Sequence, residues 1–184
     1  NFNLLAALAP GRVDLGVGKA PGGLPLSTRA LQQGVAQPER LTFADRLAQL
    51  DNWLSLTEAG SSDTVRATPI PPQRADGFLL GASLESADLA AQFDWNFVFA
   101  AHLNGDSRLL GEVISRWRER SRRDVMVAVQ AIVAPDAARA AALAEKVEVW
   151  GVVLANGQRV TVGSEAQAHE FARQAGSPAV EIAR

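Results

Sequence analysis

Two short stretches join small residues to groups that can hold an anion. The first is Gly16-Val17-Gly18-Lys19-Ala20-Pro21-Gly22-Gly23. Lys19 follows a strand-like segment directly, so its ammonium stands where an anionic group can meet it. The flanking Gly and Pro make a tight loop of low bulk. The second is Gly81-Ala82-Ser83-Leu84-Glu85-Ser86. Small residues at a strand end that pass straight into a helix leave free N–H groups pointing outward, and with the helix dipole these suit a phosphate. Ser83 and Ser86 bring two hydroxyls to that first turn. The plainer reading stays open beside this one: Ser83 as the N-cap of a tight turn and Lys19 as a solvated loop residue. Neither stretch is a Walker A loop, since no Gly-Lys-Ser/Thr run exists, and the spacing fails the dinucleotide GxGxxG pattern.

Other chemistry is sparse. His102 stands past an apolar run, at a strand end, where it can face a substrate; a loop His without a partner is equally an incidental residue. His169 reads as a helix-surface residue. Arg116, Arg118, Arg120, Arg122 and Arg123 around Trp117 offer an anion site or, more simply, a solvated helix face with Trp117 packed inward. Asn104-Gly105-Asp106 reads as a loop turn, and the four Trp as core. With no Cys and two His, the chain has no disulfide framework, no thiolate nucleophile and no zinc-type cluster. Eighteen Lys+Arg against 20 Asp+Glu give a net charge of −2, which leaves no electrostatic footprint for nucleic acid. A hydrophobic content of 47% argues against a disordered tail. No apolar run approaches the roughly 18–20 residues of a membrane span. The expected compartment is the cytoplasm.

The elements that must position these residues follow from periodicity. An amphipathic helix tail over residues 2–8, with no leader before it, stops at Ala9-Pro10-Gly11. Val13, Leu15 and Val17 alternate with Asp14, Gly16 and Gly18, which is strand period over 12–18. A polar segment runs to Pro38, and residues 39–56 have helical spacing. Residues 57–74 are linker-like, with Gly60-Ser61-Ser62-Asp63 followed by Pro69-Ile70-Pro71-Pro72. The apolar run 77–81 reads as a strand buried on both faces, followed by a helix to about Phe93. Residues 96–100 form a strand, 107–120 a helix, 125–133 a strand and 136–145 an Ala-rich helix. Strands 147–154 and 158–162 flank Asn156-Gly157, a strong hairpin signal. Ser164 with Gln167 reads as a capping box for a helix that Gly176 ends. Alternating strand and helix predicts an α/β fold with parallel strands. The count is about half of an eight-stranded barrel, which typically takes about 250 residues. In such sheets ligands bind at the carboxyl ends of the strands.

Leu8-Ala9-Pro10-Gly11-Arg12-Val13-Asp14-Leu15-Gly16-Val17-Gly18-Lys19-Ala20-Pro21-Gly22 resembles a segment of the bacterial luciferase-like, flavin-dependent monooxygenases. Phe78-Leu79-Leu80-Gly81-Ala82-Ser83-Leu84-Glu85-Ser86-Ala87-Asp88 resembles that family's fifth strand and following helix, in matching order and separation. The similarity runs over most of the chain, including Phe97 to Asn104. It implies a (β/α)8 TIM barrel with an insertion, of which this chain holds strands four to seven. Residues 1–184 would be a single partial-barrel domain and 147–162 an appended hairpin. The chain is then expected to be a piece of a longer one, with strands one to three ahead of it and strand eight after it.

The resemblance also implies reduced FMN at the strand ends. Lys19 would match the basic phosphate contact, Gly81, Ala82 and Ser83 the strand end and backbone donors, and Ser86 a hydroxyl contact. Gly18 would lie beside the isoalloxazine, where bacterial luciferase carries a Cys. The implied activity is oxygenation of a small organic substrate with O2. A separate NAD(P)H:flavin reductase would supply the flavin to a homodimer. The alternatives are a deazaflavin-dependent hydride-transfer enzyme of the same superfamily and a non-catalytic flavin-binding barrel.

Overall fold

Four of the predicted strands line up side by side in chain order. The computed structural model describes residues 1–19, 23–31, 41–55, 67–103 and 105–184. The loop residues 20–22, the stretch 32–40, the linker residues 56–66 and Asn104 lie outside the described residues. The chain divides into two compact units, one drawn from 1–19 and 38–129, the other from 20–37 and 130–184.

The first unit is built on β1 (Asp14–Gly18), β2 (Asp76–Gly81), β3 (Asn96–Ala100) and β4 (Val125–Ala128), all parallel, in that order. Around them are α1 (Phe2–Leu8), α3 (Phe43–Leu54), α4 (Leu84–Gln92) and α5 (Ser107–Arg120). Side chains alternate across a strand, so register assigns each residue to a face. Leu15, Leu79, Phe97 and Phe99 fall on one face and pack with Leu47, Leu54, Ala87, Ala90, Val113 and Trp117 from the helices. The opposite face carries Gly16, Gly18, Phe78, Leu80, Val98 and Met126, none of them fully buried, together with Ala100, which is buried. The run 77–81 is therefore an alternating strand with one deeply buried face, not one buried equally on both.

Trp95 and Trp117 anchor this core, each 1% exposed. Trp95 lies against Gly77, where no Cβ would fit, and its Nε1 donates to Asp51 at 2.7 Å. Trp117 tilts against Phe97 at 5.5 Å between ring centroids, and its Nε1 donates to the Arg123 carbonyl at 2.8 Å. Trp53 departs from the expectation of a core Trp. It is 48% exposed, because the buried stripe of α3 runs through Leu47 and Leu54 and leaves Trp53 beside it. Asn3 in α1 is buried, and its Nδ2 donates to the carbonyls of Trp53 and Ala67.

The second unit has β5 (Trp150–Leu154) between β6 (Arg159–Val162) and β7 (Ala179–Ala183), all antiparallel neighbours. Gly157 closes the β5–β6 turn at φ +83°, a conformation open to glycine. Helices α2 (Pro25–Leu31), α6 (Ala137–Ala144) and α7 (Glu165–Gln174) complete it. Val152, Leu154, Ala168 and Phe171 form its core. The Ser164 hydroxyl accepts from the Gln167 N–H, as the sequence predicts. The return bond differs: the Gln167 side chain accepts from Gly163, one residue before the cap.

On α7, Arg173 and Gln174 both donate to the Glu170 carboxylate, at 2.7 and 2.6 Å, and pull its pKa down to about 2. A depressed carboxylate stabilises the fold above its unfolded pKa of 4.5, and that contribution fades as pH falls toward about 2. The denaturant midpoint is therefore expected to drop between pH 4.5 and 2, and to drop less in Glu170→Gln. Parallel titrations with equal acid dependence would remove Glu170 from the account.

Candidate functional site at the carboxyl edge of the parallel sheet

Because β1 to β4 are parallel, their carboxyl ends share one edge of the sheet. Gly18 pairs with Leu80, so Gly18 and Lys19 end beside Gly81. Gly81 pairs with Phe99, and Ala100 with Ala128. Lys19 is exposed, with no ion-pair partner among the described residues. On the open face, a Cβ added at Gly16 would meet nothing within 4 Å. One at Gly18 would have Leu80 as its neighbour, at 3.6 Å.

Ser83 turns the chain from β2 into α4 and caps it. Its backbone is extended, at φ −146° and ψ 159°, and its hydroxyl accepts from the Ser86 N–H at 3.2 Å. The Ser83 and Ser86 hydroxyls lie 3.0 Å apart. The capping prediction therefore holds. It satisfies one orphan donor, while the N–H groups of Leu84 and Glu85 have no carbonyl to reach within the helix. Gly81 is what brings strand and helix this close, since a Cβ there would overlap Cβ and Oγ of Ser86. Glu85 adds an exposed carboxylate to the same turn, a charge that the sequence reading passed over.

His102 lies at the same edge, past β3. Its position is set by its backbone, whose N–H donates to the Ala128 carbonyl at 3.0 Å. Among the described residues its side chain has no hydrogen bond to Lys19, Ser83 or Ser86. His169 stands 3.8 Å from Glu165 on the exposed side of α7. Three of the clustered arginines are engaged by carboxylates. Arg116 grips Asp88 with two donors at 2.9 and 3.2 Å, and Arg120 reaches the same carboxylate at 2.9 Å. Arg123 grips Asp94 with two donors, both at 2.9 Å, and holds that carboxyl below the usual range. The cluster serves to tie α5 and the turn after it to α4, as a solvated helix face does. Among the described residues no group of three His, Cys, Asp or Glu is arranged to hold a metal ion.

Parallel strands joined through helices make this unit an α/β fold, with small residues and a hydroxyl pair at the carboxyl edge of its sheet. No protein-family model matches the chain. Individual relatives do. The N-acetyl-S-alkylcysteine monooxygenase of Bacillus subtilis (strain 168) is 37% identical over 183 residues, 96% of this chain and 54% of that protein. A luciferase-like monooxygenase of Escherichia coli (strain K12) is 36% identical over 105 residues, 57% of this chain and 30% of its own. The crystal structure of apo-MsnO8 superposes with a TM-score of 0.52 at 28% identity, over 68% of this chain and 37% of that one. The chain's homologues thus include an N-acetyl-S-alkylcysteine monooxygenase and luciferase-like monooxygenases. The chain spans about half the length of the Bacillus relative. Among the described residues no helix is long and apolar enough to cross a membrane.

Proposed function

We propose that this chain forms the flavin-holding part of a luciferase-like monooxygenase that uses reduced FMN and O2 on a small organic substrate. The observation that carries the reading is the hydroxyl pair Ser83–Ser86 at the start of α4, held against the strand end by Gly81. These residues fit a flavin phosphate. Ala82 and Ser83 would offer backbone N–H groups, Ser86 a hydroxyl, and Lys19 a point positive charge without the fork of an arginine. Gly18, bare of a side chain, would leave room for the flat ring. When bound, the flavin supplies the electrons that activate oxygen. The protein's share is to bind and orient it and to keep water away, which the apolar side chains of Leu80 and Val98 on the open face serve.

In this reading His102 faces the substrate, residues 1–184 are part of one TIM barrel, and the hairpin at 147–162 is appended to it. A NAD(P)H:flavin reductase feeds a cytoplasmic homodimer.

Titration of the chain with FMN, riboflavin and a deazaflavin, followed by fluorescence, tests the proposal. FMN is expected to bind saturably. Lys19→Ala is expected to weaken FMN about tenfold, the scale of one charge-assisted hydrogen bond, and to leave riboflavin unchanged. Equal losses for FMN and riboflavin would remove Lys19 from the phosphate site. Saturable deazaflavin binding with none of FMN would favour the hydride-transfer alternative.

A further inference from the structure

Asn156 and Gly157 form the tip of the β5–β6 turn. Three hydrogen bonds arrange it. The Gln158 N–H donates to Asn156 Oδ1 at 3.0 Å. The Gly157 N–H donates to the Leu154 carbonyl, and the Leu154 N–H to the Gln158 carbonyl, both at 2.9 Å. The side-chain bond closes a ring that holds Cγ of Asn156 and the Gly157 nitrogen near each other. It also draws electron density from the Cγ carbonyl and makes that carbon more electrophilic. Gly157 has no side chain to shield its nitrogen, and a Cβ placed there would meet nothing within 4 Å. The reacting atoms belong to adjacent residues, so their approach does not rest on what else packs around this unit.

We propose that Asn156 is a site of spontaneous deamidation and that the isoaspartate form of the product opens the β5–β6 turn. The Gly157 N–H first releases the Leu154 carbonyl, a local opening that makes the reaction slow. The nitrogen then attacks Cγ of Asn156. The N–Cγ bond forms, the bond from Cγ to the amide nitrogen breaks, and ammonia leaves with the proton from Gly157. Water opens the resulting ring at either carbonyl. One opening gives aspartate, and the other passes the main chain through Cγ and gives isoaspartate. No electrons change hands.

The two products differ in what they do to the hairpin. Aspartate keeps the length of the turn and the acceptor for the Gln158 N–H. Isoaspartate adds a methylene to the main chain inside both backbone bonds that close the turn. The neighbouring pairs Val153–Arg159 and Val152–Val160 then lose their register. Val152 and Leu154 belong to the core of this unit, so the damage reaches it. This chemistry needs only the turn and water, and stands apart from the flavin reading.

The test incubates the folded 184-residue chain in mildly alkaline buffer and maps its tryptic peptides by mass. The 147–159 peptide reports Asn156, and Asn104, also before a glycine, falls in another peptide. Asn156 is expected to lose its amide well before Asn52 and Asn96, which precede Trp53 and Phe97. Enzymatic methylation is expected to find isoaspartate in that peptide. The isoaspartate form, purified by ion exchange, is expected to unfold at lower urea than Asn156→Asp, which carries the same charge on an unaltered main chain. If Asn156 keeps its amide in the folded chain as long as Asn52 does, the site is overturned. If isoaspartate forms and unfolds at the same urea concentration as Asn156→Asp, the opening of the turn is overturned.

Discussion

Trp95→Ala is expected to lower the free energy of unfolding by about 3–5 kcal/mol, the range for removing a large aromatic from a core. The indole is 1% exposed and fills the space that Gly77 leaves open in the neighbouring strand. Its loss would open a cavity between β2, β3 and α3, and a rigid sheet cannot collapse to fill it. It would also take the 2.7 Å bond from Asp51, whose carboxylate holds Arg74 at 3.1 Å. Trp95→Phe separates the two effects, because most of the ring stays and the bond goes. About 1–3 kcal/mol is expected for that change. Against a total stability of roughly 5–15 kcal/mol, the alanine variant is expected to be marginal. Urea unfolding followed by circular dichroism measures both variants. A loss below about 1 kcal/mol for Trp95→Ala, well under that core range, would contradict the packing described for this residue.

Gly81→Ala is expected to strike both stability and the binding edge. The added methyl would overlap Ser86 at its Cβ as well as its hydroxyl. A Cβ is fixed to its backbone, so α4 must shift as a body or the strand end must bend. Overpacking of this kind costs about 1–3 kcal/mol. The first-turn N–H groups move with the helix, and hydrogen bonds weaken steeply once stretched or bent. FMN affinity is therefore expected to fall at least about tenfold. Gly16→Ala is the control, since its Cβ would meet nothing within 4 Å. Its stability is expected to stay within about 0.5 kcal/mol of the parent. If the two alanines behave alike in urea and in FMN titration, Gly81 is not the residue that sets the strand-to-helix junction.

Much of this architecture is legible in the sequence where a residue's role is local. The stripe Leu109, Leu110, Val113 and Trp117 marks α5, and Ser83, Ser164 and Gly176 mark helix ends by hydroxyl or by positive φ. The start of α3 differs from the helix expected over 39–56: Thr42 and Asp45 form a reciprocal capping box, so the described helix begins at Phe43. What resisted reading depends on distant partners. Helix α2 buries no residue of its own and so carries no apolar period to detect. Strand β7 exists because β5 offers it an edge more than twenty residues away in sequence. The expected strand 125–133 stops at Ala128, and beyond it Val129 and Val133 are exposed.

At the candidate site, the residue types suggested the hydroxyl pair. Only register could reveal that Gly18, Leu80, Val98 and Met126 share one row.

The bond between Ser83 and Ser86 has an arithmetic of its own. The two hydroxyls carry two protons, and at 3.0 Å one of these lies between the oxygens, whichever serine supplies it. The other proton is free to rotate outward. Since Ser83 Oγ already receives the Ser86 N–H, the arrangement with Ser86 bridging to Ser83 would load one oxygen with two donors. The reverse arrangement spreads the load and leaves the Ser86 proton to point away from the pair. The turn thus presents a single steerable donor rather than two fixed ones, and loss of either hydroxyl changes which oxygen carries it.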